Sequence, residues 1–192
     1  MKFKFKPVKM IIEDSSYFKD VKYGVYCWKL SEKSKFNGFE NNENNRIIYT
    51  GKANKYIADR FYANHLSYYA NFSTLRRSIG AVLKEELSLE ALPRFRNDGS
   101  VSSYTNFCFA ENGEFKIDQW IVNNLEYGFI ELYNSLDINH KDFMNFEEKR
   151  AKKATKPCLN CSGGDDEFNI YFLKIRELRK VCADEARKYK IN

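Results

Sequence analysis

The strongest constraint on this chain is a pair of strand-forming runs, residues 23–28 (YGVYCW) and 46–51 (RIIYTG), held apart by a polar stretch. Both runs concentrate aromatic and β-branched residues, the types that fit a pleated, half-buried surface. Residues 31–45 between them are rich in Asn, Ser, Lys and Glu, too polar to bury a face of their own. An antiparallel pair joined by an exposed excursion is the arrangement that satisfies both facts.

After Gly51 the apolar period lengthens toward that of a helix. Asn54 is placed to cap a helix carrying Ile57, Phe61 and Tyr68. Ser73 or Thr74 opens a second one carrying Leu75, Ile79, Val82 and Leu83, with Arg76, Arg77 and Lys84 on its other faces. Pro93 and residues 96–100 mark a loop, residues 105–110 a strand, and Asn112-Gly113 a hairpin turn. A short helix is expected from about Asp118 and a strand over 127–133. Helical patterns follow over 141–155, ending before Lys156-Pro157, and over 169–190, with Leu173, Leu178, Val181 and Cys182 as the expected buried side. The opening Lys2-Phe3-Lys4-Phe5-Lys6 alternates with period two, as a short strand with one basic face does. The expected class is α/β, or α+β by stricter naming: a small, mostly antiparallel, three-stranded core sheet flanked by helices. Residues 1–22 then form an N-terminal extension, 23–160 the functional domain, and 161–192 a C-terminal helical extension packed on the core.

Composition narrows the class of function. The net charge of +6 and pI near 8.9 suit a polyanionic partner. No apolar run approaches the roughly 20 residues needed to span a bilayer, and the basic start lacks the apolar stretch of a signal peptide. A cytoplasmic protein without a membrane partner is expected. The five cysteines are odd in number and scattered, unlike a secreted disulfide framework. Cys158 and Cys161 alone form a C-x-x-C pair, without the second half of a zinc site. Ordinary reduced thiols are the expectation, and stoichiometric zinc would be needed to read them as a metal or redox centre.

Five polar positions carry the chemical argument. Gly24-Val25-Tyr26 and Tyr49-Thr50-Gly51 lie on the two paired strands, Arg60 on the helix that follows, and Glu148 twelve positions before Asn160 around Lys156-Pro157. In that order the chain resembles the GIY-YIG nucleases, named for two such tripeptides on neighbouring antiparallel strands, over roughly residues 23–160. The resemblance implies a metal-dependent endonuclease acting on DNA with one Mg2+ or Mn2+ ion, of restriction or phage and mobile-element type. A non-catalytic nucleic-acid-binding domain on the same scaffold is the alternative. The nuclease resemblance implies Glu148 as the metal ligand, Tyr26 as general base or relay, Tyr49 on the water or metal shell, Arg60 on the phosphate, and Asn160 as anchor of the loop and the phosphate geometry. Those residue types suit phosphodiester hydrolysis. A carboxylate holds a hydrated divalent ion, a guanidinium offers paired donors to nonbridging oxygens, and a tyrosine acts as base only with its pKa lowered by a nearby cation.

One position departs from the family. Its histidine or tyrosine one helical turn after the arginine falls here on Asn64, and His65 stands one residue further, well round a regular helix from Arg60. Asn64, Tyr62 or His65 fills the role, or it is vacant. Lys52, Arg76, Arg77, Lys149, Lys152 and Lys153 are the cations expected to follow the phosphate backbone. If the site is real, Tyr26, Tyr49, Arg60, Glu148 and Asn160 converge on one concave basic surface, with Glu148 on Arg60's side of the sheet and the tyrosine hydroxyls outside a closed core.

Overall fold

A computed structural model describes residues 1–39, 46–66, 72–133 and 139–189 of the chain. Tyr68, residues 40–45 of the polar excursion and Lys190 lie outside the described residues.

The expected strand pair forms as β2 (Gly24–Leu30) and β3 (Ile47–Ala53), antiparallel and in register with Tyr26 opposite Gly51 and Trp28 opposite Tyr49. The sheet has four strands rather than three, ordered β1-β6-β2-β3. Its outer strand β1 (Lys4–Pro7) comes from the alternating N-terminal segment, which lies in the core sheet and continues into the short helix α1 (Val8–Ile12). β6 (Leu125–Glu131) runs between β1 and β2, two residues earlier than its apolar pattern suggested. Because side chains alternate across a strand, Tyr26 and Trp28 share a face with Tyr49 and Gly51 of β3 and Tyr127 and Phe129 of β6. On that face Trp28 stacks on Phe61 at 5.5 Å and meets Tyr127 at 4.9 Å.

Two expectations in the middle of the chain are corrected. Pro93 sits inside β4 (Ala91–Phe95), which pairs with β5 (Val101–Phe109) as a separate two-stranded sheet. Proline is tolerated there because the register is irregular between Leu92 and Arg94, so no ladder donor is lost. Asn112-Gly113 is the first turn of the helix α4 (Glu111–Asn124) and not a hairpin turn. Glu114 secures that helix start by accepting the Phe109 N–H at 2.9 Å.

The remaining helices are α2 (Ile57–Asp59), α3 (Thr74–Val82), α5 (His140–Thr155) and α6 (Phe172–Arg187). α6 packs on α3, β4 and β5. It buries Ile175, Cys182, Ala183 and Ala186, while Leu173 and Val181 of the expected buried side face solvent.

Candidate active site

Both glycines of the strand tripeptides answer to close approaches. A Cβ on Gly51 would stand 2.6 Å from the Tyr26 hydroxyl oxygen, because the tyrosine ring lies across the neighbouring strand at that point. A Cβ on Gly24 would strike the carbonyl oxygen of Ile130 in β6. The pattern around Tyr26 is therefore steric: its ring needs an absent side chain beside it. Tyr26 and Tyr49 face each other with ring centroids 6.4 Å apart. Tyr49 is half-buried, but Tyr26 is only 2% exposed, so the expectation that both hydroxyls stand open is met by neither fully.

The histidine reaches this face through an unusual turn. Arg60–His65 is a π-helix, in which the Leu66 N–H bonds to the Phe61 carbonyl five residues back at 3.0 Å. A wider turn carries the fifth residue onto the face that the fourth occupies in a regular helix. His65 accordingly points at the sheet, with Nε2 2.9 Å from Tyr26 Oη and Nδ1 2.8 Å from Ser73 Oγ. Asn64 instead meets Arg60, accepting from its guanidinium at 3.4 Å.

Proton accounting assigns the tautomer. Ser73 is buried and accepts the Arg76 N–H as the cap of α3. Its own proton has one acceptor among the described residues, His65 Nδ1. Nε2 then carries the imidazole hydrogen and donates it to Tyr26 Oη, leaving the Tyr26 proton directed away from the histidine. The opposite tautomer would strand the Ser73 proton in the core. Burial, and then the charges of Arg60 and Arg76, push the His65 pKa down to about 3, so the ring is neutral. Burial raises Tyr26 well above the ordinary tyrosine range; Tyr49 and Glu148 add to the rise and Arg60 opposes it. Tyr49 is raised likewise by burial and then Glu148, again opposed by Arg60.

Glu148 arrives from the other side. α5 packs on the face of β3 that carries Thr50 and Lys52: Thr50 Oγ1 lies 2.8 Å from Thr155 Oγ1, and Lys52 Nζ lies 2.8 Å from Glu148 Oε2. The expectation that Glu148 shares Arg60's side of the sheet is thus corrected. β3 is an outer strand, so a carboxylate approaching on the Thr50 and Lys52 face meets the Tyr26 and Tyr49 face only round the free edge of that strand. Lys152 holds the second oxygen of Glu148 at 3.2 Å and also pairs with Asp165 at 2.8 Å. Neighbouring Glu147 is turned away, buried against Arg150 at 3.3 Å.

Asn160 is a latch on β3. Its amide accepts the Thr50 N–H at 2.9 Å and donates to the Thr50 carbonyl at 2.8 Å, mimicking a missing strand. Asn169 in turn donates to the carbonyls of Cys158 and Asn160 at 2.9 and 2.6 Å. Asn160 is thus directed at the backbone of β3, where the expectation was an anchor of the loop and of the phosphate geometry. Ser73 and Asn169 were not singled out as site residues in the sequence. An N-cap signal marked Ser73, but nothing local marked Asn169.

The expected nucleic-acid cations divide. Arg76 is fully buried, with its guanidinium on Glu114 at 2.7 Å, on Asp118, and on the His65 carbonyl at 3.1 Å. It is a structural ion pair, and the expectation that it meets phosphate is corrected: a guanidinium with no exposed surface cannot follow a backbone. Lys52 and Lys152 are engaged with Glu148. Lys149 pairs with Glu167 at 3.0 Å in solvent, Lys153 is exposed, and Arg77 is nearly buried.

The described geometry places two strand tyrosines, a guanidinium, a buried imidazole and a carboxylate around one outer strand, and the chain matches the GIY-YIG catalytic domain over residues 24–181. It belongs to the GIY-YIG family. Membership makes it a nuclease-type hydrolase with nucleic acid as substrate, and the matched stretch runs past Asn160 into α6. No curated protein and no solved structure matches the chain. Among the described residues no three His, Cys, Asp or Glu side chains gather as a metal cage, and no helix is long and apolar enough to cross a membrane. A single half-buried carboxylate still fits a magnesium-type ion, which keeps most of its waters and takes one or two protein carboxylates. Glu148 would hold it, with the Lys52 and Lys152 ammonium groups moved aside.

Proposed function

We propose that this nuclease hydrolyses internal DNA phosphodiester bonds with one Mg2+ or Mn2+ ion on Glu148. The observation that carries the reading is the match to the GIY-YIG catalytic domain, with Tyr26, Tyr49 and His65 gathered on one sheet face and Glu148 at the free edge of β3. When bound, the ion supplies Lewis-acid polarisation of a phosphoryl oxygen. Arg60 offers paired donors to the nonbridging oxygens as negative charge grows there. Tyr26, hydrogen-bonded by the neutral His65 through Nε2–H, keeps its own proton and orients the attacking water or the phosphate. Its raised pKa keeps the phenol protonated, so it serves as a base only after a bound cation lowers that pKa. The His65 hydrogen bond is aimed at the oxygen that would become a phenolate, and it strengthens as that charge develops.

Supercoiled plasmid incubated with and without Mg2+ or Mn2+ tests this. Glu148→Ala should cut at least about a hundredfold more slowly than wild type, as the loss of a main electrostatic group does elsewhere, while remaining folded and DNA-binding. Glu147→Ala should cleave normally, because that side chain serves Arg150. Tyr26→Phe and Arg60→Lys should be severely slow, and Tyr26→Phe should also lose about 1–3 kcal/mol because it strands the buried His65 Nε2–H. Cleavage by Glu148→Ala at the wild-type rate, or without a divalent ion, overturns the assignment. Lysines on both oxygens of Glu148 equally suit a non-catalytic nucleic-acid-binding domain. Plasmid bound but left intact in both metals selects that reading.

A further inference from the structure

The outer face of α6 gathers cations of which Arg176, Arg179 and Lys180 have no carboxylate partner among the described residues. Arg176, Arg179, Lys180 and Arg187 stand at helical spacing around Ala183 and, with Thr105 of β5 and Cys161, line a cavity of about 240 Å3. The helix's acids are occupied or turned elsewhere: Asp184 pairs with Arg187 and Glu185 with Lys84. Among the described residues no carboxylate reaches Arg176, Arg179 or Lys180. Arg179 donates instead to the Cys161 sulfur at 2.7 Å, a weak acceptor for a group with five N–H donors.

A solvated basic face is the ordinary fate of such residues, and it is convex. Here the cations converge on a hollow, where their mutual repulsion is least screened. Ala183 at the centre lets a ligand approach the helix. The cluster also continues toward the site. Arg179, through its contact with Cys161, adjoins the Asn160 latch, which holds the backbone of Thr50 next to Tyr49. Cys161 follows the latch residue Asn160 directly.

We propose that this concavity binds the sugar-phosphate backbone of the nucleic-acid substrate, on the flank of the scissile bond nearest Tyr49. The proposal rests on the nuclease reading and adds the face by which the substrate is held. Phosphates are the fitting occupant because guanidinium groups grip their oxygens in pairs, and a track of several such contacts positions a duplex without reading its sequence.

The test is binding of a fluorescein-labelled, random-sequence duplex in EDTA, followed by anisotropy across a salt series. Arg176→Gln/Lys180→Gln removes two exposed charges without touching the core. The slope of log Kd against log salt should fall by about 2, and affinity should weaken for every duplex sequence. Lys9→Gln/Lys33→Gln, equally exposed and carrying the same net charge change, should leave the slope at its wild-type value. Equal slopes in the two double variants overturn the proposal, and plasmid cleavage by the wild type in that case leaves the nuclease reading standing. Inorganic phosphate that raises the wild-type Tm, with no change of DNA slope in the α6 variant, assigns the hollow to a small free anion and also overturns it. Wild-type protein that binds no duplex sinks the proposal, and the plasmid assay then decides the nuclease reading separately.

Discussion

His65 is enclosed by Tyr26, Trp28 and Tyr49 rings and lies near Arg60 and Arg76, so its protonation opposes the fold. Its folded pKa of about 3 is below the ordinary value of 6.5. Between those values the unfolded chain binds a proton that the folded chain does not. Stability is therefore complete above pH 6.5 and is lost as the pH falls toward 3, by at most about 1.4 kcal/mol per pH unit. Urea midpoints measured from pH 7 to 4.5 should drop for the wild type and hold nearly level for His65→Gln. Parallel curves would mean that another group titrates. The residue types of this site were legible: Tyr26, Tyr49, Arg60 and Glu148 each have a chemistry that their order made recognisable. The partner of a charge was not. Arg76 looked like a surface cation because Glu114 and Asp118 lie 38 and 42 positions away in the chain.

At the scale of elements, the strands were legible where alternation and turn residues agreed, as in β2 and β3. They were not where one residue type has two uses. Asn-Gly opens hairpins, yet Gly113 lies in the first turn of a helix, where an added Cβ would stand 3.2 Å from Phe109 and 3.3 Å from Leu89. The π-turn was hidden for a different reason: its extra residue changes a hydrogen-bond ring, and no side chain announces it. A deletion tests that account. Ala63 is exposed on the turn. Removing it shortens the spacing from Arg60 to His65 from five residues to four, which a regular helix carries onto the same face. The deletion variant should stay folded and keep its nuclease activity within about tenfold, whereas deleting one residue from α3 should abolish it by turning Ser73 and Arg76 away from His65. Complete loss of activity in a folded Ala63 deletion would mean that the wide turn itself is required.

For the molecule as a whole, the main question is whether α6 is an appendage, as its position after Asn160 suggested, or part of the fold. Its fully buried Ile175, Cys182 and Ala186 lie on α3 and on the β4–β5 hairpin, a two-stranded sheet that cannot stand alone in water. Burying Ile175 alone contributes about 2–3 kcal/mol, a large share of the roughly 5–15 kcal/mol that holds a domain together. α3 in turn carries Ser73 and Arg76, which hold His65 by its ring and its carbonyl. Loss of α6 should therefore reach the site through α3. A chain ending at Tyr171, which keeps Asn169 and the Asn160 latch, should lose its cooperative thermal transition, expose apolar surface to a dye such as ANS, and cleave no plasmid. Because the same helix presents the basic hollow, the exposed double variant Arg176→Gln/Lys180→Gln serves as the control: it should melt within a few degrees of wild type. A truncated chain that melts cooperatively and retains the His65–Tyr26 pair would make α6 a separable arm, and its cations would then act on substrate from outside the catalytic fold.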